Sequence, residues 1–369
     1  MQDFMLMSKD TPIARISNSV VEPLLPERLP LFLQRTGDIR AWLEARAVDS
    51  HRTNSRLLKK ALRLEHKDDL STVLSVNAAT ITDNFWVKPI DDIAMRYADV
   101  RFQVNRFDNL ALTGDVNSFD QPPSRTPELT NIGSFEKCWR RREGEWWMVK
   151  AGKPEELFSE LLAYRLGVLL NFPMARYEPD GAFIRSLDFT RDAHVDFEPA
   201  MGIIGGESDY VKIYQKLKPF GSAICEDYLR MCYFDALILN MDRHEHNFGV
   251  LRDSDTGQVL SLAPFFDHNI ALIARGYPKN VDTPNDLLLM DFTALAHYAG
   301  LPLEIRKLNQ SAINAAVRMG PFSPPHTEAV VNPSSFVSDY LLRRQERLEE
   351  LNQDVLSFVE PTLNREKER

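Results

Sequence analysis

The chain has 369 residues, 44% hydrophobic and 26% charged, with 44 Lys and Arg against 53 Asp and Glu for a formal charge of −9. This composition suits a globular protein of two domains or of one domain with two lobes. Its acidic balance excludes a nucleic-acid protein that works by blanket phosphate neutralisation. No apolar run approaches the roughly 18 residues of a membrane helix, and Met1 to Arg15 lacks a signal-peptide layout. Three cysteines, Cys138, Cys225 and Cys232, form no metal-type pair and leave one over in any disulfide scheme. A cytoplasmic protein with no membrane and no direct nucleic-acid contact is therefore expected.

Residues 1–120 read as an N-terminal accessory section of mixed α and β character. Leu31 to Leu43 and Asn54 to Leu64 have helical spacing, with Leu57, Leu58, Ala61 and Leu62 on one stripe. Val73 to Thr82 is richer in β-branched and small residues, and Phe85 to Pro89 reads as a strand stopped by proline. Leu110 to Phe119 is less regular. The proline-rich run Gln121 to Pro127 marks a boundary.

A β-rich stretch follows. Ser134 to Arg140 and Glu145 to Lys150 are expected as strands around the turn Arg141-Arg142-Glu143-Gly144, with Lys150 on the face of Trp146 and Met148. Pro154 opens a strong helix from Glu155 to Leu170, with acids in its first turn. Met174 to Tyr177 and Ala182 to Leu187 read as a hairpin. From Ser222 the pattern is mainly helical, at Glu226–Leu239, Leu287–Ala299, Leu303–Ala316 and Ser335–Phe358. Short strands interrupt it at Phe248–Arg252 and Val259–Leu262. The expected fold is α+β and bilobal, protein-kinase-like, with an ATP-binding N-lobe and hinge over 121–220 and a helical C-lobe over 221–369.

Asp242, Asn247 five residues later, and Asp267 after a hairpin carry the functional argument. Phosphoryl transfer needs a carboxylate beside the attacking hydroxyl, oxygen ligands for Mg²⁺ and a cation on the nucleotide phosphates. Asp242 is the candidate base, and Asn247 and Asp267 are the candidate metal ligands, since Mg²⁺ prefers oxygen donors. Lys150 is the candidate phosphate lysine, with Glu160, or Glu156 one turn earlier, as its anionic partner. Thr126 to Ser134 is the candidate phosphate loop, with Thr130 and Gly133 as contacts. Its single glycine matches no glycine-rich pattern. His244 is expected to pack beneath the catalytic loop and orient it. A zinc or iron cluster of Asp242, His244, His246, Asp267 and His268 is the competing reading, although His-Glu-His is not the spacing of a zinc hydrolase helix.

The run Leu239-Asn240-Met241-Asp242-Arg243-His244-Glu245-His246-Asn247-Phe248, with Leu262 to Asp267 and Thr126-Pro127-Glu128-Leu129 leading to Lys150 and Glu160, resembles the HipA-like kinase family, including its shorter CtkA-type relatives. The resemblance covers about residues 124–320, and the Asp-Arg-His loop is also similar to that of phosphatidylinositol kinases. It implies a bacterial serine/threonine protein kinase using ATP and Mg²⁺, often the toxin half of a toxin–antitoxin pair. Asp242 is then the base, Asn247 and Asp267 hold the metal, and Lys150 meets the phosphates. It also implies a protein substrate, an antitoxin-like partner, and an autophosphorylated loop hydroxyl among Ser124, Thr126, Thr130 and Ser134. His246 stands where the toxin loop tends to carry lysine, and residues 1–120 show no recognisable antitoxin-contacting domain. Two other functions share these residues. One is a lipid or small-molecule kinase, for which Arg275 and Lys279 are the only nearby headgroup cations after Asp267. The other is a pseudokinase serving recognition alone.

Overall fold

The computed structural model describes residues 3–50, 52–271, 274, 286–318, 320–322 and 333–360, so Arg275 and Lys279 lie outside the described residues. The chain forms two compact units, one of Met1–Gly152, Arg176–Gly206 and Phe248–Ala263, the other of Lys153–Ala175, Glu207–Asn247 and Pro264–Arg369. The boundary expected near residue 120 falls inside the first unit.

The first unit is β-rich. Strands β1 (Phe4–Ser8), β2 (Thr11–Ser17) and β3 (Val20–Pro23) form an antiparallel meander, and β4 (Phe85–Pro89) pairs with the other edge of β1. The meander had no counterpart in the sequence expectations. A second sheet, ordered β5-β6-β8-β7, contains β5 (Lys137–Arg142), β6 (Glu145–Lys150), β7 (Tyr177–Asp180) and β8 (Phe183–Leu187). Glu143 and Gly144, both with positive φ, make the two-residue turn between β5 and β6, as the twist of a tight hairpin requires. A third sheet joins β9 (Val195–Pro199), β10 (Gly249–Asp253) and β11 (Val259–Leu262) in the order β11-β10-β9.

Short helices fill the gaps of this unit. The single helix expected over Leu31–Leu43 is two, α1 (Leu31–Thr36) and α2 (Ile39–Glu44). Gly37 at φ +66 ends the first, and Asp38 caps the second by accepting from the amide of Ala41. Next come α3 (Ser55–Ala61) and α4 (Asp69–Leu74), the latter begun by Asp68, whose side chain accepts from the amide of Ser71. That local cap draws Val73 into a helix end despite its β-branched character. The helices α5 (Tyr97–Val100) and α6 (Asp108–Thr113) complete residues 1–120. Met7, Leu58, Trp86, Phe107, Leu129, Trp139 and Trp146 belong to one buried cluster. The N-terminal section and the β5–β6 hairpin therefore share a core, each fully buried large side chain contributing about 2–3 kcal/mol.

The second unit is mainly helical and opens with α7 (Pro154–Leu169), proline at its first turn. After the short α8 (Met201–Ile204) of the first unit, it continues with α9 (Tyr210–Leu217), α10 (Ser222–Ile238), α11 (Leu287–Ala299), α12 (Gln310–Arg318) and α13 (Pro333–Asn352). Two expected helices are corrected. Leu303–Arg306 is strand β12, and Leu356–Val359, beyond the end of α13, is strand β13, paired with it in parallel. In β12, Leu303 and Ile305 are buried while Glu304 and Arg306 are exposed, a period of two hidden inside a longer apolar pattern. Phe172 packs edge-on against Tyr233 and Phe234 of α10, and Tyr233 also meets Phe292 of α11. Cys138, Cys225 and Cys232 are all buried and free. No helix among the described residues is long and apolar enough to cross a membrane.

Candidate active site

Five of the expected site residues lie in the second unit. Helix α10 ends at Leu239, whose φ of +54 is the left-handed conformation that usually falls to glycine. A branched side chain there costs roughly 1–2 kcal/mol, and the strain sits where the helix turns into the loop Asn240–Asn247. Within that loop the Asn247 amide donates to the carbonyl of His244 at 2.9 Å. Its side-chain Nδ2 donates to the Asp242 carbonyl at 2.8 Å and lies 3.5 Å from the Asp242 carboxylate. The carboxamide oxygen thus faces away from the Asp242 carbonyl. His244 is exposed rather than packed beneath the loop, and its Nδ1 accepts from the amide of His246 at 3.2 Å. Burial lowers the pKa of His246, opposed by Glu245 and assisted by His244.

The residue that orients the loop is Arg243. Its guanidinium donates two hydrogen bonds to Asp235 of α10, at 2.8 and 2.9 Å, with both side chains nearly inaccessible. Burial opposes the Arg243 charge, yet the Asp235 carboxylate raises its pKa above the ordinary arginine value. A single nitrogen of Arg243 also donates to the carbonyls of Asn247 and of Phe266, the latter at 2.9 Å. Another lies 3.0 Å from His268 Nε2, which can only accept from a guanidinium. One buried cation therefore holds together the loop carrying Asp242 and Asn247 and the segment carrying Asp267. Arg243 stood inside the quoted motif, but nothing local to it signalled burial.

The Asp267 segment is anchored from two directions. Phe265 and Pro173–Ala175 exchange backbone hydrogen bonds of 2.7 and 3.0 Å. Asp267 itself has φ +65, an uncommon conformation that aspartate tolerates better than most residues. Glu160 of α7 accepts from the backbone amides of Asp267 and His268 at 3.1 and 3.2 Å. Glu156 instead caps its own helix, accepting from the Lys153 amide at 2.8 Å. Among the described residues no group of three or more His, Cys, Asp or Glu could hold a metal ion, the set a zinc or iron hydrolase requires. Mg²⁺ asks for only one or two protein oxygens, and the Asn247 carboxamide and Asp267 carboxylate are donors of that kind.

Lys150, Thr130 and Gly133 lie in the first unit. Lys150 ends β6, directly across from Lys137 of β5, with Nζ 5.6 Å from the ring centre of Tyr177. Gly133 has φ +109, and a Cβ there would meet the Lys137 ammonium at 2.4 Å. Lys137 is thus a second cation at the candidate phosphate loop that sequence reasoning passed over. Thr130 is buried, and its hydroxyl donates to the Ala79 carbonyl at 2.8 Å, which turns it into the core. Thr126 is also buried, its hydroxyl bonded to Asn105, whereas Ser134 is exposed. Beneath the loop, the fully buried Glu128 accepts from the Trp139 amide and from Asn105 and Asn131. Burial raises its pKa despite the nearby Arg52.

No protein-family model matches the sequence, and no curated protein matches it. Among solved structures, a chain from the complex of HipA, HipB and operator DNA of a Shewanella oneidensis MR-1 toxin–antitoxin system matches with a TM-score of 0.59. The match covers 95% of this chain and 99% of that one at 13% identity. The chain has the fold of HipA. The match spans nearly the whole chain, so the HipA-like fold includes residues 1–120 as well as the candidate site. The proinflammatory kinase CtkA of Helicobacter pylori also matches, with a TM-score of 0.42 and 16% identity over 59% of this chain and 94% of that one.

Proposed function

We propose that the chain is an ATP- and Mg²⁺-dependent serine/threonine protein kinase of HipA-like type. The observation that carries this reading is the Arg243 clamp, which bonds the Asn247 and Phe266 carbonyls at one buried guanidinium. It brings an aspartate, an asparagine and a second aspartate to one place in the second unit, the residue types that phosphoryl transfer asks for. Asp242 accepts the proton of the substrate hydroxyl as general base. Asn247 and Asp267 supply oxygens to Mg²⁺, which when bound neutralises charge on the phosphates. In the first unit, Lys150 is the cation proposed for nucleotide phosphates. An antitoxin-like partner is part of the proposal, supported by the presence of HipB in the HipA structure.

The test incubates purified protein with Mg²⁺ and γ-labelled ATP, beside Asp242→Ala and Asp267→Ala. Label on the wild type alone is expected. Of the loop hydroxyls, exposed Ser134 is the expected site if the protein modifies itself, since Thr126, Thr130 and the Ser124 hydroxyl are buried. Tight Mg²⁺–ATP binding without label would redirect the substrate search to lipids and small molecules. The absence of both nucleotide binding and label would refute the enzyme reading.

A further inference from the structure

Glu160 lies mid-way along α7 with 1% of its surface exposed, where a carboxylate is costly unless its hydrogen bonds are made. One of its oxygens, Oε1, accepts from two consecutive backbone amides, those of Asp267 and His268, at 3.1 and 3.2 Å. The adjacent Ser159, also fully buried, places its hydroxyl 2.8 Å from the carbonyls of both His268 and Ala271. Two neighbouring residues of one helix thus engage the N–H and C=O groups of residues 267–271. The turn they hold contains Asp267 at φ +65, a conformation that persists only where its surroundings impose it. Consecutive amides converging on one oxygen form such a restraint.

We propose that Glu160 is a positioning residue for Asp267, an inference that rests on the reading of Asp267 as a metal ligand. By accepting the two amide protons, Glu160 holds the left-handed turn from which the Asp267 carboxylate is presented, and it ties that turn to α7. This role is additional to the lysine partnership expected of Glu160 from the sequence, on which these two contacts do not bear. An amide turn needs an acceptor oxygen of the right reach, whereas a lysine needs a negative charge. Glu160→Gln keeps the oxygen and removes the charge, while Glu160→Ala removes both.

Two readouts are made on the full chain. Amide hydrogen exchange of the segment 265–271 is followed without nucleotide, and the Mg²⁺ dependence of binding a fluorescent ATP analogue is titrated. Loss of a residue that supports a metal ligand costs typically 10–100-fold in metal affinity. Glu160→Ala is therefore expected to speed exchange at Asp267 and His268 and to raise the half-saturating Mg²⁺ about 10–100-fold. Glu160→Gln is expected to match the wild type on both, within about threefold. Equal losses in the two variants, or unchanged exchange in Glu160→Ala, would overturn the proposal. Should Glu160→Ala not fold, Glu160→Gln decides alone: wild-type Mg²⁺ dependence supports the positioning role and a loss overturns it. A wild type with slow exchange at Asp267 but no Mg²⁺-dependent nucleotide binding would remove the kinase reading, and with it a metal for Glu160 to serve.

Discussion

Replacing Asp235 by alanine isolates the clamp on which the proposed site depends. The substitution deletes two hydrogen bonds from Arg243, at 2.8 and 2.9 Å, and a third from the side chain of Asn240, at 2.7 Å. It also strands a guanidinium whose side chain is 4% exposed, in a place where burial opposes the charge and Asp235 sustains it. Removing one partner of a buried ion pair costs about 3–5 kcal/mol. Urea denaturation at neutral pH, monitored by tryptophan fluorescence and circular dichroism, should show the midpoint of the second unit falling by about 1 M or more, for an m-value near 3 kcal/mol/M. Arg243→Met should cost a similar amount, because it strands the carboxylate instead. The double variant Asp235→Ala/Arg243→Met leaves no lone buried charge, so its loss should undercut the sum of the two single losses by about 1–3 kcal/mol. Single losses below about 1 kcal/mol, or strict additivity in the double variant, would refute the view that one paired cation holds the loop.

Asp196 predicts a pH dependence in the first unit. Burial, then the nearby Asp83, raises its pKa to about 7, while Asn84 donates to it and Glu198 raises it further. Between the unfolded value near 3.9 and about 7 the native state keeps a proton that the unfolded state has released. Stability from this group is therefore full below the unfolded pKa and is lost as pH rises through the folded one. Asp196→Asn should gain stability over the wild type at pH 8 and little at pH 4, and an equal difference at both would contradict the assignment. Glu128→Ala removes the carboxylate that accepts from the Trp139 amide and from the Asn105 and Asn131 side chains, and leaves buried Arg52 with the longer Glu136 contact as counter-charge. A loss of about 3 kcal/mol is expected in thermal or urea unfolding. Gly249→Ala would set a Cβ 2.2 Å from the Glu198 carbonyl. Because that neighbour is backbone, a cost of about 1–3 kcal/mol is expected, measured the same way. Lys150→Met should raise the KM for ATP at least about tenfold, equivalent to roughly 1.4 kcal/mol of lost binding, with the fold unchanged by circular dichroism.

The strands β4 and β6 and the helix α11 lie where periodicity places them, because each has a local pattern that its burial later satisfies. Elements that depend on distant partners were harder to read. β12 and β13 pair across some fifty positions of chain, so neither is an obvious strand by itself. β1 to β3 bury Leu6, Ile13 and Ile16 against helices of the same unit, and their short alternation is weak without that core. The same distinction separates the site residues. Asp242, Asn247 and Asp267 could be proposed from the sequence because phosphoryl transfer limits the residue types. Arg243 was passed over because burial turns a solvated arginine into a clamp, and burial is not a local property.

What the chain determined by itself is the order of elements, a β-rich part before a helical one, and the candidate chemistry, since an aspartate, an asparagine and a second aspartate carry their reactivity wherever they are set. What only the tertiary structure decided is who holds them. Glu160 is 107 positions from Asp267, and Asp235 is eight before Arg243 across a strained helix end. Hydrogen bonds form between groups adjacent in space, and a linear pattern records composition and period but not which distant amides a buried carboxylate will meet.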